Sequence, residues 1–191
     1  MTALLASLLV ATNAAPHELV AACRAAVPSD ATLSGRLVMR NRRGVPLAEH
    51  DYVLVRSNAT TRLSVDGRPL DLAALAGDAA LLRTDVTPSD LTLEYLWWDD
   101  VSFDATHEGE TVNGQTCAVV VMRKGGRSVR AWIDRKTGAL MQAEEIRDGK
   151  PLRRLWGTRI RKFGERWMAN VLEVETLGSG HRTKITVEDL R

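Results

Sequence analysis

Residues 117–134 read CAVVVMRKGGRSVRAWID: an apolar run, a turn at Lys124-Gly125-Gly126, and a return segment. In the return, Val129, Ala131 and Ile133 alternate with Arg130, Trp132 and Asp134, the period of two that a strand imposes on its faces. Runs joined by so short a turn must be antiparallel neighbours, because a parallel return needs a crossover of about a dozen residues or more.

The same pattern extends outward on both sides. Strands are predicted over 101–108, 140–147, 152–162, 167–177 and 181–190, separated by turn signals such as Asn113-Gly114, Asp148-Gly149, Phe163-Gly164 and Gly178-Ser179-Gly180. With 117–124 and 128–134 they form one continuous meander. Upstream, 32–40 and 47–56 read as a hairpin around Asn41-Arg42-Arg43-Gly44, and 61–65 as a further strand closed by Asp66-Gly67. A sheet of about ten strands that all twist the same way must curl, into an open half-barrel or a closed barrel. The expected class is therefore mainly β with few helices (α+β), with helices predicted at 17–27 and 89–98 available to cover the apolar concave face. Pro16 opens the first, and Pro88-Ser89-Asp90 the second, with Ser89 placed to cap it. Residues 70–82 are Ala/Leu-rich and read as a helix, a strand or a loop packed on the core.

With 191 residues, 45% of them hydrophobic and 26% charged, the chain suits one globular domain behind a leader. Its charges are interspersed and sum to +2, so no nucleic-acid partner is implied. Arginine outnumbers lysine, which a GC-rich genome explains as readily as chemistry, so that excess receives no functional weight. Residues 3–11 are almost unbrokenly apolar and are followed by Thr12-Asn13-Ala14-Ala15. We read 1–14 as a cleaved signal peptide, 15–191 as the exported domain, and the compartment as periplasmic. Val20-Ala21-Ala22-Cys23 has the shape of a lipidation motif, but Leu19, Val20, Cys23 and Val27 recur at helical spacing and favour a short amphipathic helix. An oxidising compartment permits a Cys23–Cys117 bridge. Both cysteines lie in apolar contexts, so buried free thiols remain equally open.

The sequence offers no catalytic centre. His17, His50, His107 and His181 fall in four separate segments, no metal-ligand spacing or nucleophile elbow occurs, and Glu144-Glu145 point to opposite faces of a strand. A non-enzyme without cofactor or metal is expected. Trp97, Trp98, Trp132, Trp156 and Trp167, against two Phe and two Tyr, supply large apolar surface with a polar handle and suit the wall or rim of a cavity.

Residues 89–98, SDLTLEYLWW, resemble the helix of LolA-like outer-membrane lipoprotein-sorting proteins. The order of the downstream segments is also similar: 110–117, ETVNGQTC; 129–134, VRAWID, with Gly138-Ala139-Leu140; 164–168, GERWM; and 180–185, GHRTKI. The resemblance covers roughly 17–191 and implies a half-barrel lidded by helices, a LolA/LolB-like shape with an apolar cavity for the acyl chains of a lipoprotein or another lipid. It also implies a monomeric carrier with an inner-membrane donor and an outer-membrane acceptor. Burying an acyl chain contributes about 0.8 kcal/mol per CH₂, so such cargo needs no covalent link. The best-known carriers latch the lid with an arginine from an early strand. The early strands here offer Arg36, Arg40, Arg56 and Arg62, none in a matching context.

From alternation, the cavity is expected at Leu91, Leu96 and Trp97 of the lid and at Trp132, Met141, Trp156, Ile160 and Leu172 of the sheet. The parity of each strand decides which face those residues occupy. A periplasmic carrier is the leading expectation. A sensor or scaffold module that recognises a protein partner is the alternative.

Overall fold

The computed structural model describes residues 14–191, except 58, 59, 73, 76–78 and 165 and the side chains of 166 and 167. The expected leader thus lies outside the described residues apart from Ala14.

The chain opens with α1 (Pro16–Ala26). Pro16 occupies the first turn, where its missing N–H costs nothing, and the Glu18 carboxylate accepts the Ala15 amide at 2.8 Å. Pro28 forces Val27 into an extended conformation and ends the helix.

Among the described residues twelve strands follow: β1 (Ala31–Asn41), β2 (Pro46–Ser57), β3 (Thr60–Val65), β4 (Arg68–Leu70), β5 (Asp100–Phe103), β6 (Thr111–Val112), β7 (Gln115–Lys124), β8 (Arg127–Asp134), β9 (Leu140–Arg147), β10 (Lys150–Phe163), β11 (Arg166–Thr176) and β12 (His181–Leu190). Every pairing is antiparallel, and the sheet runs β4-β3-β2-β1-β12-β11-β10-β9-β8-β7-β5, with β6 a short addition to β7. It is an open sheet, one of the two outcomes that the alternation pattern left standing. The last strand returns to pair with the first, which joins the N-terminal hairpin to the meander. The two strands beyond the expected ten are the short β4 and β6.

Inward-facing residues form two clusters. One packs Leu19, Val20 and Cys23 of α1 against Ala118, Val120 and Met122 of β7 and Ala131 and Ile133 of β8. The other gathers Leu37, Leu54, Leu63, Leu155, Val174 and Ile185 from β1, β2, β3, β10, β11 and β12. Beyond Leu70, which ends β4, the segment to 82 is irregular where described, and Leu72, Leu75 and Leu81 pack on the second cluster, the loop reading of the three open in the sequence.

The expected helix over 89–98 is broken. α2 (Pro88–Thr92) ends at Leu93, whose φ of 55° is left-handed, and a 3-10 turn covers Glu94–Trp97. Its cap is Thr87 rather than Ser89: the Asp90 carboxylate accepts from the Thr87 amide at 2.7 Å and from its hydroxyl at 3.0 Å. A continuous helix would keep Leu91 and Tyr95, four residues apart, on one face. The reversal instead sends Leu91 into the second cluster and Tyr95 and Leu96 into the first, with Leu93 touching both. Holding a leucine in this conformation costs about 1–3 kcal/mol, offset by the bonds that arginines of the sheet and of α1 make to the flanking carbonyls.

On the outer face, Asp104 accepts from Arg130 at 2.7 Å and from the Thr106 amide at 3.1 Å, with His107 Nδ1 at 3.2 Å. Burial pushes its carboxyl up, but His107, Arg130 and Thr106 together hold it at about 2, below the ordinary 3.8.

Two outcomes follow from this packing. A Cβ at Gly35 would lie 1.8 Å from the Thr186 carbonyl oxygen, backbone that cannot step aside, so Gly35→Ala is expected to lower urea stability by about 3 kcal/mol. Because folding depresses the Asp104 pKa, the folded state binds fewer protons than the unfolded chain; this contribution is complete above about pH 4 and is lost as pH falls toward 2. Acid titration of Asp104→Asn should show a shallower stability loss across that window than the parent protein.

Candidate functional site

A cavity of about 180 Å³ lies between the two clusters. Leu91 and Leu93 form its roof, Leu33, Leu54 and Ile185 one wall, and Leu140 with Val27 the other. Leu155, Met168 and Leu172 complete it from the central strands. The lining is almost wholly apolar. Arg56 is its one cation among the described lining residues, and Asp90 its one carboxylate.

The roof is held by four arginines that approach from different elements. Arg56 of β2 donates through Nη2 to the carbonyls of Leu91 and Thr92, each at 2.9 Å. These are the last carbonyls of α2, which have no partner within the helix. Burial lowers the Arg56 pKa, and its Nε has no partner among the described residues. Arg24 of α1 takes the Leu96 carbonyl through Nε at 3.0 Å and Nη2 at 2.7 Å. Arg127 of β8 reaches Glu94 at 2.7 Å and the Ser89 hydroxyl at 2.8 Å, and its guanidinium lies 5.2 Å from the Trp98 ring centroid. Glu94 is partly buried, which raises its carboxyl, but Arg127 and Ser89 more than reverse this.

Arg153 of β10 is the deepest of the four. It donates to the Asp90 carboxylate, to the Asp85 carbonyl and, at 3.1 Å, to the Thr87 hydroxyl, while Glu145 stands 3.5 Å away. The Asp85 carboxylate, fully buried, accepts from the Thr183 hydroxyl at 3.1 Å and the Thr176 amide at 3.2 Å, with His181 Nδ1 at 3.0 Å. The stretch from Asp85 to Leu96 is therefore bound through charged donors both to the sheet and to α1.

Of the eight residues expected to line a cavity, the structure brings two to this one, Leu91 and Leu172. Leu96 is fully buried in the first cluster instead. Trp97 is 48% exposed and outside the cavity lining, with Arg24 5.7 Å from its ring centroid. Trp132 and Met141 pack with Cys117 and Val119 on the outer face, where Trp132 donates to Glu110 at 2.9 Å. Trp156 lies under Arg182, 5.4 Å from its ring centroid, and Ile160 is 67% exposed. The displacement has one cause in β9 and β10: the inward positions are Leu140 and Leu155, one residue from Met141 and Trp156.

Both cysteines are free and buried, Cys23 against the cavity and Cys117 on the other face of the sheet. Burial pushes the Cys23 thiol up to about 12, against a smaller opposing effect of a backbone hydrogen bond at Leu140. Among the described residues no group of three or more His, Cys, Asp or Glu could hold a metal ion, and no helix is long and apolar enough to cross a membrane.

A family model described as "Uncharacterized protein" matches residues 66–191. The chain belongs to that family. No curated protein sequence matches it. Among solved structures, a DUF1329 family protein from Desulfovibrio piger has a TM-score of 0.69 at 15% identity, covering 92% of this chain and 91% of that one. A putative outer membrane lipoprotein-sorting protein domain from Vibrio parahaemolyticus has a TM-score of 0.68 at 12% identity, with 92% and 91% covered. A LolA superfamily protein from Nitrosomonas europaea also has a TM-score of 0.68 at 12% identity, with 94% of each chain covered. At such identities the likeness is one of fold, and the fold is LolA-like, as the sequence resemblance implied.

Although no early-strand arginine stands in a matching sequence context, Arg56 of β2 reaches the roof in space. In a Cys117→Ser background, Arg56→Ala should speed alkylation of Cys23 by N-ethylmaleimide at least tenfold, because losing two bonds to a charged donor, about 1.5–3 kcal/mol each, lets the roof lift more often. Mass spectrometry of the alkylated protein against time gives the rates.

Proposed function

We propose that this chain is a periplasmic carrier or binding protein that shelters an acyl chain of a lipoprotein or another lipid in the cavity beneath α2. The carrying observation is the cavity itself: an apolar space between two clusters, roofed by a short segment that is fastened by hydrogen bonds rather than by a long packed helix. The likeness in fold to the Vibrio protein, described as a putative outer membrane lipoprotein-sorting protein domain, supports lipid-bearing cargo.

At about 180 Å³ the space is smaller than the roughly 300–1,000 Å³ typical of small-molecule pockets. The space as described is thus small for such cargo, which enters by displacing the roof. Each CH₂ buried contributes about 0.8 kcal/mol, so a chain of ordinary length can offset several of the bonds that hold the roof down. A lipid carbonyl or carboxylate could also replace the Leu91 and Thr92 carbonyls on Arg56, leaving the guanidinium paired while the lid opens. Release then needs only an acceptor that binds the cargo better.

The reading is tested by purifying the mature protein from its native envelope and extracting it for lipid, together with titration of a fluorescent fatty acid. Bound lipid and saturable binding are expected, and Leu172→Trp, which fills the cavity, should weaken the fatty acid at least tenfold. Trp132→Phe on the outer face should leave it unchanged. Absence of both lipid and fatty-acid binding would end the reading, and a stoichiometric protein partner in place of lipid would favour a sensor or scaffold module.

A further inference from the structure

The hairpin formed by β10 and β11 is longer than its neighbours. β9 pairs with β10 only as far as Trp156, and β12 pairs with β11 only from Val171. Beyond these points Ile160–Phe163 have strand partners only in Arg166–Ala169 among the described residues, register shifts between Gly157 and Ile160 set this arm apart from the sheet, and one side-chain bond, Arg161 Nη1 to the Glu188 carbonyl at 3.5 Å, ties it to β12. The arm stands at the cavity: Met168 and Ala169 near its base line the same space as Val27 and Pro28.

Its sequence, TRIRKFGERWMAN, carries Arg159, Arg161, Lys162 and Arg166 against the single Glu165. Arg159, Arg161 and Lys162 are exposed. Ile160 is the most exposed of the large hydrophobic residues among those described, and Phe163 is half-buried with the Arg161 guanidinium 5.0 Å from its ring centroid. A chain with a net charge of only +2 thus concentrates cations on one projecting arm and places an exposed isoleucine among them. Stems of arginine and lysine can lie along an apolar surface while their heads stay in water, and anionic lipid headgroups complement such an arm better than neutral ones do.

We propose that the β10–β11 arm docks on an anionic phospholipid surface and lays the cavity mouth against it. Ile160 enters the headgroup–acyl boundary, and the cations pair with phosphates. The exchange of an acyl chain between bilayer and cavity then occurs without passage through bulk water. This builds on the carrier reading, and the two fail separately, since vesicle binding and fatty-acid binding are measured independently.

The test is co-sedimentation of the full-length mature protein with vesicles of phosphatidylethanolamine and phosphatidylglycerol, and with vesicles of phosphatidylcholine alone. Sedimentation is expected with the first and not the second, and should be lost at molar salt, where charges are screened beyond about 3 Å. Arg159→Gln with Arg161→Gln should reduce partitioning roughly 30-fold, about fivefold per cation. Ile160→Asn, which changes no charge and leaves the Arg161–Phe163 contact in place, should reduce it several-fold, with the melting temperature and fatty-acid binding unchanged. Equal binding to neutral vesicles, an unchanged partition in both variants, or a protein that stays in the supernatant at every composition overturns the proposal. The last result is also what a hairpin that docks another protein would give.

Discussion

The conformation of this molecule depends on guanidinium groups meeting a short stretch of backbone. Arg24, Arg56, Arg127 and Arg153 come from α1, β2, β8 and β10 and converge on residues 85–96. That stretch cannot hold itself. α2 has five residues, far short of the roughly 12–15 at which an isolated helix becomes even marginal, and it is followed by a left-handed leucine. Arg24 and Arg56 satisfy backbone carbonyls that would otherwise be left part-buried without a partner, at a cost of about 1–3 kcal/mol each, while Arg127 and Arg153 pair with the Glu94 and Asp90 carboxylates.

That construction has a consequence for motion. A lid packed by a long apolar face would have to expose that face on opening. A lid held by charged donors exchanges its bonds for equivalent ones with water or with a ligand's oxygens, so opening changes little in the number of bonds made. The grip is also graded: Arg153 and the Asp85 cluster fasten the start of the segment in a buried network, whereas Arg24 and Arg56 hold its far end through backbone carbonyls alone. The segment is thus fastened at its start by buried carboxylates, and at Leu91 and Leu93, which roof the cavity, by the bonds Arg56 makes to the Leu91 and Thr92 carbonyls.

The fold was largely legible in the sequence, because the alternation of Val129, Ala131 and Ile133 and the short Gly-containing turns constrain strand direction and adjacency. Which face was inward was less so. Tryptophans drew the expected cavity toward Trp132 and Trp156, yet both strands point smaller residues inward, Ala131 and Leu155, and place the indoles outside under Arg130 and Arg182. Period two says that residues alternate and is silent on parity when both faces carry apolar groups. The broken helix was illegible for a different reason: Leu93 adopts its conformation through tertiary bonds from Arg56 and Arg24 to its neighbours, and no glycine marks the place. The arginines were present in the composition, but their role depends on partners 35 to 72 residues away in the chain.

Whether the space under Leu91 and Leu93 receives an acyl chain is measured most directly by an isotope-filtered NOE experiment on the protein with carbon-13-labelled palmitate. Contacts are expected from the acyl methylenes to the methyl groups of Leu33, Leu172 and Ile185, with loss of protection at the Leu96 amide. Contacts confined to Met141 and Trp132 on the outer face, or none at all at saturating palmitate, would contradict the carrier reading.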